Sequence, residues 1–159
     1  MLYVISYVSA MALANILVSV FGPVISPVNA FLLIGLDMAM RDKLHDEWVG
    51  NHLFFRMLGM ISFAGAVSYA ANPSSGVVAV ASVVSFLASN AIDSTTYHLM
   101  RKKSYMTRAN GSNIFGAGVD SIVFPAIAFG AFIPAVVIMQ FAAKVFGGAM
   151  WSLVLKRFN

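Results

Sequence analysis

Short turns divide this chain into six nearly charge-free stretches of about 20 residues, and that spacing most constrains what it can fold into. The stretches cover about residues 2–21, 25–40, 53–71, 77–100, 108–129 and 135–155. A helix of about 20 apolar residues spans the hydrocarbon core of a bilayer. The expected fold is therefore an all-α integral membrane protein, a six-transmembrane-helix bundle forming one domain over residues 1–159. Gly22-Pro23, the segment Asn72 to Gly76, and the Gly130/Pro134 break read as tight turns. Arg41 to His52 and Arg101 to Arg108 read as charged loops, the first with Trp48 as an interface anchor.

Composition agrees and removes other classes. Charged residues make up 10% of the chain and hydrophobic ones 60%, whereas soluble domains carry about a quarter charged residues. The net charge of +4 then bears on topology, not on nucleic acid. Cysteine is absent, which excludes disulfides and thiolate metal sites. His45, His52 and His98 lack a metal-ligand spacing, and no metal or other cofactor is expected. Nucleophile-elbow, phosphate-loop and dinucleotide motifs are missing, so the chain is not expected to be an enzyme. The N-terminus runs into an apolar stretch without a basic region or cleavage site, and reads as a retained span.

Orientation follows from the basic residues. With six spans, the two charged loops and both termini share one side, and nine of the ten Lys and Arg residues lie on or near it, Lys144 being the exception. The positive-inside rule makes that side cytoplasmic, in a multi-pass protein of the cell inner (plasma) membrane.

Against this apolar background the intramembrane polar residues stand out. A carboxylate at the centre of a membrane helix costs about 2.5–3.5 kcal/mol on insertion scales. Asp120 lies twelve residues beyond Arg108, and Lys144 lies twelve before Lys156. At 1.5 Å per residue each is roughly 18 Å from the cytoplasmic end of its helix. Lys144 is thus the expected partner of Asp120. Asn90, eleven residues before Arg101, falls near the same level, and Asn15 reaches it too. Asn90, Asp93 and Tyr97 share one side of their helix, as do Asn113, Asp120 and Phe124, and Gln140 with Lys144. Three helices each present a polar stripe, as a central ligand cavity requires. Asp37 and Arg41, spaced i,i+4, form a second group with Asp93 nearer the cytoplasm, as an interfacial ion pair or a gate. Asn15 and Asn113 also fit plain interhelical hydrogen bonding.

These residues resemble the VUT family, also called the queuosine precursor transporter family. Its signature looks like R-x-N-x-S…D-[ST]-x-x-F-x-x-I-A-F, matched here by Arg108, Asn110, Ser112, Asp120, Ser121, Phe124, Ile127, Ala128 and Phe129. Asn90, Asp93 and Tyr97 are similar to the pattern ending its preceding helix, and Gln140 with Lys144 to its last span. Ala117 departs from the family, which usually has Asn or Gln there, and the chain is shorter than typical members, a compactness that fits a phage-encoded form. The resemblance implies uptake of a 7-deazaguanine such as preQ0 or preQ1. Asn15, Asn90, Asp93, Asn113, Asp120, Phe124, Gln140 and Lys144 would line the substrate site, with Phe124 or Tyr97 stacking on the flat ring. Asp37, Arg41 and Arg108 would form gating or interfacial ion pairs. The expected partners are a small molecule and the lipid bilayer, with no nucleic acid; a homo-oligomer is compatible with the sequence. Two other classes compete: a binding subunit for another vitamin, served by a separate ATPase module, and a non-transport membrane protein such as a holin.

Overall fold

The computed structural model describes residues 1–156. Its architecture is all-helical. Helix α1 is Leu2–Phe21. It ends at Gly22, whose φ of 67° only glycine adopts freely, and Pro23 starts a 3-10 turn, Gly22–Ile25. Helix α2 runs through residues 26–48 as three continuous pieces: Ser26–Asn29, a π-helical turn Ala30–Ile34, and Gly35–Trp48. Gly50 and His52, both with positive φ, turn the chain into α3, Leu53–Ala71. Asn72 Oδ1 then accepts bonds from Ser74 N and Ser74 Oγ across a 3-10 turn, Pro73–Ser75. Helix α4 is Gly76–Leu99. Helix α5, Tyr105–Ala128, starts on Ser104, whose hydroxyl accepts from Thr107 N. Gly130 breaks the chain again and Pro134 opens α6, Pro134–Lys156.

Among the described residues four runs are long and apolar enough to cross a membrane: Leu2–Trp48, Leu53–Ala71, Pro73–Leu99 and Pro134–Lys156. The first, of 47 residues, holds both α1 and α2, which fold back on each other. Helix α5 is as long as α4 but falls short in apolarity. The reason is its own composition: Arg108, Asn110, Asn113 and Asp120 lie along it.

The six helices close into a ring in the order α1, α3, α4, α5, α6, α2, each packed on the next and α2 returning to α1. The pattern is inverted relative to a soluble bundle. Large apolar side chains such as Phe55, Phe63, Phe115, Ile138 and Phe146 point outward and are exposed. Asn15, Asp37, Ser68, Ser82, Asp120 and Lys144, one from each helix, are buried inside. On one flank, Tyr7, Met11, Leu44, Met57, Ile61 and Phe86 fill the interior with apolar volume. Helices α2 and α6 approach backbone to backbone. A Cβ added at Gly35 would lie 2.6 Å from the Gly147 carbonyl carbon, and one at Gly147 would run into the Phe31 backbone. Small residues permit such crossings between membrane helices.

One expectation about the fold is corrected. The segment from Arg41 was expected to leave the membrane as a charged loop after residue 40. Instead α2 continues to Trp48, and Arg41, Asp42, Lys43, Leu44 and His45 are all buried. Helix-forming residues run without a break until Gly50, and each charge finds company inside the ring.

Candidate functional site

The expected pair is present. Lys144 Nζ of α6 lies 2.6 Å from Asp120 Oδ2 of α5. It also donates to Gln140 Oε1 at 2.9 Å and Ser121 Oγ at 3.1 Å. An ammonium has three protons to donate, and all three are used. Asp120 and Lys144 are 4% and 1% exposed, so this is a desolvated pair whose partners depend on each other.

A small cavity opens beside it, lined on the polar side by Asn15, Ser26, Asn29, Ser82, Asp120, Gln140 and Lys144 and on the apolar side by Phe86 and Phe124 among others. Its wall is braced by hydrogen bonds between helices. Asn15 Nδ2 donates to Ser68 Oγ at 3.0 Å, Ser82 Oγ donates to Asn15 Oδ1 at 2.5 Å, and Asn29 Nδ2 donates to the Ala14 carbonyl at 3.0 Å. Asn15 therefore does both things considered for it: it joins α1, α3 and α4, and it edges the cavity. Three polar atoms on the lining have no hydrogen-bond partner among the described residues: Asp120 Oδ1, Gln140 Nε2 and Ser26 Oγ. Buried polar groups are seldom left so. The cavity itself is about 20 Å³, room for a water, while small-molecule sites run to about 300–1,000 Å³. The helices are closed around the site.

The other expected residues fall elsewhere. Arg41 pairs with Asp93 of α4, at 3.2 Å, and donates to Ser89 at 3.3 Å. Asp93 is thus engaged by a cation instead of facing the cavity. The i,i+4 pairing of Asp37 with Arg41 is not formed: among the described residues neither Asp37 oxygen has a hydrogen-bond partner. Asn113 donates to Asp42 Oδ2 at 3.3 Å, and Asn90 accepts from Ser94 at 3.2 Å. Neither lines the cavity. Tyr97 is also remote from it. Its hydroxyl donates to Asp46 at 2.8 Å, and the Arg108 guanidinium lies 4.6 Å from its ring centre. Arg108 bonds both Asp46 oxygens, at 3.3 and 3.2 Å, closing the ring at the end where α2 stops. Ala117 is buried and does not line the cavity.

Three cavity residues carried no signal strong enough to find in the sequence. Ser26, Asn29 and Ser82 are short polar residues in apolar stretches, where they most often serve helix packing. The acidic pair Asp42 and Asp46 was hidden by the reading of its segment as solvated.

Apolar helices that enclose a desolvated ion pair and a small polar cavity define a multi-pass membrane protein with the layout of a small-solute carrier. The chain belongs to the family described as "Putative vitamin uptake transporter", which it matches over residues 2–155; this is the VUT family that the residues around Asp120 resemble. No curated protein and no solved structure matches it.

Proposed function

We propose that the chain imports a queuosine precursor of the 7-deazaguanine type, preQ0 or preQ1, through six membrane crossings of the inner (plasma) membrane with both termini in the cytoplasm. The observation that carries this reading is the set of unmatched atoms on the cavity wall: one carboxylate oxygen, one amide nitrogen and one hydroxyl. A 7-deazaguanine presents a ring N–H and an amino group along one edge, and a carbonyl oxygen beside them. Asp120 Oδ1 would accept from that edge, Gln140 Nε2 would donate to the carbonyl, and Phe124 would lie against the ring face. Family membership supports the transport class.

Because the cavity holds a water and no more, binding is coupled to separation of the helices around it. Asp93, Asn90 and Asn113 then act in the bundle away from the substrate, and Arg41 and Arg108 close its cytoplasmic half by holding Asp93 and Asp46. The orientation rests on the basic residues, nine of ten near one side. Reporter fusions at Lys102 and at the C-terminus are expected to read as cytoplasmic, and an external signal from either would reverse the topology.

For function, expression in a host starved of precursor and lacking its own transporter is expected to restore queuosine in tRNA when preQ0 or preQ1 is supplied. Thermal unfolding of the purified protein checks the same ligands directly. A ligand at a hundred times its Kd stabilises by about 2.7 kcal/mol, and protection by another vitamin with none by 7-deazaguanines would replace the substrate assignment.

A further inference from the structure

One buried acid has no part in the site just described. Asp37 is 2% exposed and neither of its oxygens has a hydrogen-bond partner among the described residues. It faces a second small cavity, about 10 Å³, together with Tyr7, Arg41, Ser89 and Asp120. This cavity shares Ile34, Phe86 and Asp120 with the substrate cavity, so the two lie end to end.

The charges around it are already matched. Asp120 of α5 holds Lys144 of α6, and Arg41, one turn along α2, holds Asp93 of α4. Asp42 of α2 accepts from Asn113. From α1 comes Tyr7, a neutral phenol, and the titratable side chains of α3, Arg56 and Tyr69, are exposed on the outside. Among the described residues no cation forms an ion pair with Asp37; Arg41 shares its cavity but directs its guanidinium to Asp93 at 3.2 Å. A carboxylate left ionised and unpaired out of water costs several kcal/mol, and such a group takes a proton instead. Asp120 on the same cavity adds a like charge, which discourages a second one.

We propose that Asp37 is a proton-binding site that couples substrate uptake to inward proton movement. Its carboxylate takes one proton while the helices are open to the outside, forming a carboxylic acid. The proton leaves to the cytoplasm after the helices open inward, restoring the carboxylate. One proton enters per substrate, and no bond other than the O–H is made or broken. The coupling rests on the transport reading above; the proton site stands on the cavity alone.

Two measurements separate these. Infrared difference spectra of the purified protein in lipid, between acid and alkaline pH, are expected to show a carboxylic-acid C=O band that shifts in heavy water. The band should vanish in Asp37→Asn, persist in Asp120→Asn and return in Asp37→Glu. Its persistence in Asp37→Asn overturns the proposal, whatever the substrate proves to be.

In proteoliposomes, labelled preQ0 serves as the uncharged probe, with the membrane potential clamped at zero. At the limit for one coupled proton, an inward gradient of one pH unit supports about tenfold accumulation. Asp37→Asn should exchange preQ0 across the membrane yet accumulate none. Accumulation by Asp37→Asn, or accumulation in wild type driven by sodium and indifferent to pH, overturns the coupling. If wild type moves no preQ0 at all, the substrate reading falls and the infrared band still decides the proton site.

Discussion

Asp120→Asn is expected to lower the stability of the folded protein by about 3–5 kcal/mol, the usual cost of removing one partner from a buried pair. Lys144 would keep Gln140 and Ser121 as hydrogen-bond acceptors but no counter-charge, at a buried position. Asp120→Asn together with Lys144→Met should regain most of that loss, since no charge is then stranded. Binding should not return, because both the Asp120 oxygen that faces the cavity and the cation that orients it are gone. A double-mutant cycle, read by thermal unfolding and by preQ0 protection side by side, measures both. Strictly additive stability losses would mean that the pair carries no coupling, and normal protection in the double variant would move the substrate away from Asp120.

The second large effect is expected at Arg41, and it is asymmetric. Arg41→Met leaves Asp93 without the one ion-pair partner it has among the described residues, with the acids Asp37 and Asp42 close by on α2. A loss of about 3–5 kcal/mol follows, again from a stranded buried charge. Asp93→Asn should cost less. Arg41 keeps Ser89 as an acceptor and is also attracted by Asp42, so it is not left alone. Thermal unfolding of the two single variants and of Arg41→Met with Asp93→Leu tests this. Equal losses in the two single variants would show that Asp42 offers Arg41 nothing.

The pairing of Asp120 with Lys144 was legible before any coordinates, while the partner of Arg41 was not, and geometry explains the difference. Counting residues from a helix end fixes depth along the membrane normal, because rise per residue is constant. Two opposite charges at one depth, with no other charge there, have few choices. Rotation about the helix axis is a separate matter. Asp37 and Arg41 are neighbours on one helical face, but a guanidinium is long enough to reach across to α4, where Asp93 waits. The same blindness put Asp93, Asn90 and Asn113 in the cavity. They share a face with residues that line it or sit at similar depth, yet each turns to a nearer partner. Ser26, Asn29 and Ser82 were missed for the opposite reason, since a single hydroxyl or amide in an apolar run says little. The stretch Arg41 to His45 was misread because charge density normally marks the water boundary, whereas here Arg41, Asp42, Lys43 and His45 meet side chains of α4 and α5.

The meeting of α2 and α6 at Gly35 and Gly147 has a mechanical consequence. Most helix contacts are interlocked by side chains, which must unmesh before the helices can tilt. At this crossing the two backbones meet directly, with the Trp151 Nε1–H bond to the Leu32 carbonyl as a tie beside it, so it can serve as a pivot. Along α2, the cavity residues Ser26, Asn29, Ala30 and Ile34 precede Gly35, and Asp37 and Arg41 follow it. On α6, Gln140 and Lys144 precede Gly147. A seesaw tilt of α6 about this point would spread the two helices around the cavity beside Asp120 while pressing them together beyond it, and the reverse tilt would do the opposite.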